Sequence, residues 1–209
     1  MVNKCPNSAE IIRPILRGRD IARYHANFAD LYLINTHNGI PLKNIPPIDI
    51  KQYPAIKSHL DGYWKKIKDR DDQGFTPYNL RSCAYMEEFS KQKIVWNRIA
   101  SEKIFAFVDE GIFIQDSMHF FTGNHLKYLC GVLNSKLFIW LMKLIVGEAA
   151  GGNAGNSDNV RNLVIPVPKK KQEQQIELYL KKTEYKEIDL FIYSLYELSD
   201  YEIKFIESQ

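Results

Sequence analysis

Four arginines crowd a short apolar run near the start of the chain. They are Arg13, Arg17, Arg19 and Arg23, spread along Ile11-Ile12-Arg13-Pro14-Ile15-Leu16-Arg17-Gly18-Arg19-Asp20-Ile21-Ala22-Arg23-Tyr24. The guanidinium is a planar fork that donates hydrogen bonds in pairs, so it suits phosphate oxygens and guanine edges. Gly18 lacks the side chain that would hold another backbone away. The plain alternative is a surface turn whose arginines are only solvated. Further basic groups follow. Trp64-Lys65-Lys66-Ile67-Lys68-Asp69-Arg70 closes a helical stretch with positive charge, which the helix dipole alone favours. Arg81 lies in Tyr78-Asn79-Leu80-Arg81-Ser82-Cys83. Trp96 and Arg98 share one face of a strand, with Asn97 on the other, and Lys103 follows in a loop. Trp96 reads as core rather than as a stacking platform. Asparagine and glutamine pair with adenine as arginine does with guanine, so groups able to read base edges are present.

Other chemistries are harder to build. There is no Gly-x-Gly-x-x-Gly run and no Walker lysine motif. The glycine-rich stretch 147–157 has no Gly-Lys-Ser/Thr, so it reads as a flexible loop, with ordering on a nucleic acid as its other role. His25, His37, His59, His119 and His125 form no paired zinc motif. Asp109-Glu110 reads as the solvated acids of a hairpin turn. Asp116 and His119 follow a strand, and a structural hydrogen bond is the simpler account of such a pair. Cys5, Cys83 and Cys130 are scattered and form no CxxC, as in a reduced intracellular chain. The most apolar segment, 137–146, contains Lys143 and falls short of the roughly 20 residues that span a bilayer. A cytoplasmic protein with no membrane partner is expected.

These groups need a frame. A chain of 209 residues, 45% hydrophobic and 12% aromatic, has room for one full domain with an appendage. The net charge of +3 is modest, but residues 1–168 hold 21 Lys+Arg against 16 Asp+Glu, and residues 169–209 hold 7 against 9. The body, not the tail, carries the positive excess, which permits a basic binding face. Residues 31–34 read as a buried strand and 53–67 as one helix opened by Pro54. Residues 93–100 read as a strand, 105–114 as strand, tight turn and strand, and 118–122 as one more strand. Apolar residues at steps of three and four over 126–144 predict one long, largely buried helix. Residues 165–168 form an extended exit. The chain is then helical, with Ile176, Tyr179, Leu180, Ile188, Phe191, Ile192 and Leu195 as a buried edge. Ser199-Asp200-Tyr201-Glu202 has capping-box spacing and starts a last helix. The class is mixed α/β of the α+β kind: a domain over 1–168 with short strands and one long buried helix, and a helical spacer over 169–209.

The opening run resembles the start of the TaqI-like C-terminal specificity domain, the target-recognition part of fused type IIG restriction–modification enzymes and of adenine-specific DNA methyltransferases. Further stretches continue the resemblance in order: Tyr78-Asn79-Leu80-Arg81-Ser82-Cys83-Ala84-Tyr85, then Phe89 through Lys93-Ile94-Val95-Trp96, Leu133-Asn134-Ser135-Lys136-Leu137-Phe138 and Leu163-Val164-Ile165-Pro166-Val167-Pro168. Ile188-Asp189 then leads into Tyr193-Ser194-Leu195-Tyr196-Glu197-Leu198-Ser199-Asp200-Tyr201-Glu202-Ile203. The likeness covers most of the chain, and it rests on order and spacing rather than on one motif. In that family and in the similar type I specificity subunits, a globular recognition domain precedes a helical spacer, which is the order here.

The resemblance implies a domain that binds double-stranded DNA, selects a short site and presents it to a methyltransferase domain, with or without an endonuclease domain, in a longer parent. No catalytic residue, cofactor or metal is expected in this chain. S-adenosylmethionine, and Mg2+ if the parent cleaves, belong to a catalytic region upstream of Met1. Asn44-Ile45-Pro46-Pro47 has the wrong order for the motif with which such methyltransferases hold a flipped base, and reads as a turn. The candidate DNA-contacting residues are Arg17, Arg19, Arg23, Lys65, Lys66, Arg81, Arg98 and Lys103. Two alternatives stay open. One is an interaction module whose tail residues Ile188, Phe191, Ile192 and Leu195 mediate assembly, with a dimer allowed in either case. The other is a small metal-dependent nuclease using Asp116.

Overall fold

The computed structural model of the chain describes residues 1–100, 103–146 and 160–209. Its strands are β1 (Ile12–Leu16), β2 (Tyr32–Ile34), β3 (Lys93–Asn97), β4 (Ala106–Val108), β5 (Phe113–Ile114) and β6 (Met118–Phe121). Its helices are α1 (Pro54–Asp61), α2 (Trp64–Ile67), α3 (Leu126–Leu133), α4 (Lys136–Val146), α5 (Lys170–Lys182), α6 (Tyr185–Leu195) and α7 (Asp200–Glu207). The fold is of the α+β class, with short strands and a helical C-terminal part. The stretch 147–157, read as a loop, lies outside the described residues.

Two compact units emerge. The first gathers Met1–Ile15, Asp30–Ser90 and Gly111–Phe113; the second gathers Leu16–Ala29, Lys91–Glu110 and Ile114–Gln209. Neither follows a boundary at 168, because the helices after that point share a core with β3 and α3.

In the first unit β1 and β2 pair antiparallel, with Ile12 opposite Ile34 and Pro14 opposite Tyr32. The core is small: Ile11, Ile50, Tyr53 and Ile56, edged by Ile12, Ile34, Ile48, Leu60 and Tyr78. β2 is not the buried strand that its apolar run predicts, since Tyr32 is 55% exposed. Too little lies over it to cover its outer face. Pro54 does open α1, but the helix stops at Asp61 instead of running to Ile67. The Gly62 N–H turns back to the carbonyls of His59 and Leu60, and Tyr63 leaves helical geometry at φ −108°, ψ 12°. Tyr63 and Trp64 are exposed, so little burial holds the helix across the glycine.

Asn79 organises the loops of this unit. Buried, it donates through Nδ2 to the carbonyls of Ile48 (2.9 Å) and His37 (3.3 Å), and its Oδ1 accepts from the Thr76 hydroxyl (2.6 Å). The Leu80 N–H donates to the Thr36 carbonyl at 2.8 Å. Arg70 donates to the Asn79 carbonyl.

The second unit is built on β3, the middle strand of an antiparallel sheet ordered β4-β3-β6. Ile94 sits between Phe107 and Phe121, and Val95 between Ala106 and Phe120. Lys93 through Trp96 are buried. The expected 105–114 hairpin does not form. Gly111 makes the turn at φ +76°, but β4 pairs with the longer apolar β3, and β5 is not a member of this sheet.

The predicted long helix is two helices, broken at Asn134-Ser135. The Asn134 side chain bonds both backbone groups of Phe105: its Oδ1 accepts from the N–H (3.0 Å) and its Nδ2 donates to the carbonyl (2.7 Å). Asp189 of α6 then accepts from the Lys136 N–H at 2.8 Å, satisfying one of the free donors that open α4. A helix through this point would forfeit both arrangements. α3 packs closely on α5: a Cβ at Gly131 would stand 2.6 Å from Ile176 Cγ2. α5 ends at Thr183 in the left-handed conformation, and α7 starts at the predicted capping box, where Glu202 Oε2 accepts from the Ser199 N–H at 2.8 Å. Ile176, Ile188, Ile192 and Tyr193 from these helices join Trp96, Phe105, Tyr128 and Leu133 in one core.

Candidate nucleic-acid interface

In the second unit the site begins at Arg17 and Asp20. The Arg17 Nε and Nη2 donate to Asp20 Oδ2 (2.9 Å) and Oδ1 (2.8 Å), and the Arg17 backbone N–H adds a bond at 2.8 Å. The i,i+3 spacing across the short turn Gly18–Asp20 makes this possible. The hydrogen bonds from Arg17 hold the Asp20 carboxyl below its usual range, and the same bonds push Arg17 up. One edge of the Arg17 fork is therefore occupied, and its side chain is 24% exposed. Arg19, next to it, is exposed, and Arg23 is half-buried.

Gly18 is required by its surroundings rather than by its backbone conformation. A Cβ there would collide with Asn97 Oδ1, and the Asn97 Nδ2 donates to the Gly18 carbonyl at 3.1 Å. This contact fixes the arginine turn to the end of β3. The next residue, Arg98, is exposed; its backbone N–H donates to the Ser117 carbonyl (3.0 Å) and its Nη1 to the Asp116 carbonyl (3.3 Å). Lys103 faces inward. It is 8% exposed, and its Nζ donates to the carbonyls of Asn97 (3.2 Å) and Arg98 (3.1 Å). Burial lowers its pKa. In this position its charge supports the Asn97–Arg98 loop, and Arg19 and Arg98 are the groups that the loop and turn present to solvent.

Trp96 is core, as its strand predicts: it is 2% exposed and packs on Phe105 and His119. His119 is consequently half-buried, and burial, then Arg98 and Lys103, lower its pKa. His125 contacts Glu173 at 3.0 Å. Among the described residues no three His, Cys, Asp or Glu side chains gather into a possible metal site, and no helix is long and apolar enough to cross a membrane.

In the first unit Lys65 and Lys66 stand exposed on α2. Arg81 is exposed and lies 3.5 Å from Asp72, a separation too long to neutralise it firmly. The elements that place these groups are tied through Tyr78, whose hydroxyl donates to Asp61 at 2.6 Å and whose ring lies 5.3 Å from that of Trp64.

The chain matches the model of the TaqI-like C-terminal specificity domain over residues 13–153. It belongs to this family. All eight basic candidates of the specificity domain fall inside the matched range. Among solved structures, the fold is similar to that of the type IIL restriction-modification enzyme MmeI in complex with DNA, with a TM-score of 0.59 at 13% identity. That likeness covers 95% of this chain and 30% of the MmeI chain. No curated protein matches the sequence of this specificity domain. Sequence reasoning passed over the bonds that Asp20, Asn97, Asn134 and Asp189 make. Asp20 was legible as an acid three residues after an arginine. The other three bond partners 29 to 79 residues away, which no local pattern records.

Proposed function

We propose that this specificity domain binds duplex DNA and selects a short site on behalf of a restriction–modification enzyme, presenting it to an adenine methyltransferase domain of the parent. The observation that carries this reading is the family match over 13–153, which holds every exposed basic candidate. The DNA complex of the structural neighbour supports the same reading. Arg19, Arg98, Lys65, Lys66 and Arg81 are the groups best placed to meet DNA. Arg17 meets it with the edge that Asp20 leaves open, Arg23 contributes from the same segment, and Lys103 acts by holding the loop. Lysines and most arginines would contact phosphates, which set affinity and salt dependence, and the remaining arginines would read guanine edges. S-adenosylmethionine and any Mg2+ would be held by the parent's catalytic region, so this domain's own contribution is binding and positioning.

The test is selection from a randomised duplex library at low and at near-physiological salt. Enrichment of one short motif that survives added salt is expected, along with its loss in an Arg19→Ala/Arg98→Ala variant that remains folded. Uniform binding that vanishes with salt would leave only a basic surface and overturn the reading.

A further inference from the structure

The assembly residues that the sequence offers are mostly unavailable. Ile188 and Ile192 are fully buried in the core, and Phe191 and Leu195 pack against it. A different apolar face is open instead. On α7, Tyr201 is 80% exposed and Phe205 46%. They are four residues apart, hence one above the other, on the side opposite Ile203, which packs on the core. α4 extends this face. Lys136 pairs with Glu207, and Trp140 meets Phe205 edge-on at 5.8 Å, so α4 and α7 run antiparallel. Leu144, 58% exposed, then lies one turn beyond Trp140, as Tyr201 lies one turn beyond Phe205. Among the described side chains of these two helices, Leu144, Tyr201 and Phe205 are the exposed large apolar ones, and Phe205 is held in place by its contact with Trp140, which is partly buried against the core.

The charges beside this face select the occupant. At 100° per residue, Glu202 and Lys204 flank the Tyr201–Phe205 face on opposite sides, about 80° from its centre. A second copy packed antiparallel would set Glu202 beside Glu202 and Lys204 beside Lys204. A second copy packed parallel, about a twofold axis along the helices, sets Glu202 of each beside Lys204 of the other, on both sides, with only two residues of axial offset. Flanking charges of this kind decide orientation in paired helices. We propose that α7 is a dimerisation helix, pairing in parallel with α7 of a second copy of this chain through Tyr201 and Phe205. The interface is isologous, each residue meeting its own counterpart.

The experiment is light scattering coupled to size exclusion, with a concentration series of the whole chain. The expected result is a species of twice the chain mass. It should be reduced to monomer by Tyr201→Glu/Phe205→Glu, with unchanged circular dichroism. Glu202→Lys and Lys204→Glu should each shift the series at least tenfold toward monomer. The double reversal, which recreates both cross-pairs with signs exchanged, should recover the dimer even though it loses the Glu202 cap. Mild oxidation of Tyr201→Cys should link residue 201 to residue 201. A monomer at every concentration would overturn the proposal. So would a dimer indifferent to Tyr201→Glu/Phe205→Glu, which would place assembly elsewhere, and so would a 201–201 link that fails to form in a dimer.

Discussion

Arg17 and Asp20 illustrate how a residue that reads as a candidate contact takes on a structural part. Asp20 is nearly buried, and its carboxylate has three donors, all from Arg17. Its pKa is lower in the folded chain than in the unfolded one, so the pair contributes stability that is complete above the unfolded carboxylate range and is lost as pH falls through the folded value. Arg17→Ala should lower the melting temperature at pH 7 and flatten the acid limb of stability against pH, because the abandoned Asp20 regains an ordinary or raised pKa. Arg19→Ala, which removes only the weakest of the pulls on Asp20, should change both far less. Lys93 works in the opposite sense. It is fully buried, and desolvation lowers its pKa to about 8, with Asp109 opposing. A base depressed when folded destabilises the chain below that value and is relieved as pH rises toward the unfolded value of roughly 10.4. Urea titrations between pH 7 and 10 should show wild-type stability rising across this window by an order of 2 kcal/mol, and Lys93→Met should abolish the rise.

At the scale of elements, Asn134 decides where the long apolar run 126–144 breaks. Its side chain takes up the Phe105 N–H and carbonyl at the start of β4, both in the core. Asn134→Ala would strand the buried Phe105 N–H, while the carbonyl keeps the Tyr24 N–H at 2.9 Å, and should cost about 1–3 kcal/mol in urea unfolding, whereas Asn134→Asp should recover the bond to the N–H. The same residue shows why the sequence is legible only in part. Helical spacing located α3 and α4 correctly, since it follows from residues three and four apart. The break between them depends on a strand 29 residues away. β3, β4 and β6 were visible from their β-branched and aromatic content, yet the partner of β4 was not, because pairing depends on which apolar strand offers the longer ladder. The Ser199 capping box was legible in full, being a bond between residues three apart. The candidate site divides in the same way: the basic residues stand out by type, whereas Lys103 turning inward depends on carbonyls that only the folded loop supplies.

Binding of a polyanion is a property of the whole surface. If Lys65 and Lys66 neutralise phosphates, Lys65→Ala/Lys66→Ala should weaken binding to all duplexes alike and reduce the slope of log affinity against log salt by about 0.9 per contact removed. A base-reading arginine should instead alter which motif is enriched and leave the slope nearly intact. These measurements treat the chain as one object, as its connectivity requires. The backbone passes from one compact unit to the other after residues 15, 29, 90, 110 and 113, and only Ile114–Gln209 stays within one unit to the end. A gene exchange with a single crossover anywhere between codons 16 and 113 would therefore join halves of both units from different parents. A crossover near codon 113 would keep the first unit whole but divide the second, with Leu16–Ala29 and Lys91–Glu110 from one parent and Ile114–Gln209 from the other. New specificities on this chain should accordingly arise by point substitution on the surface, and chimaeras joined at any single point between codons 16 and 113 should be recovered as insoluble protein.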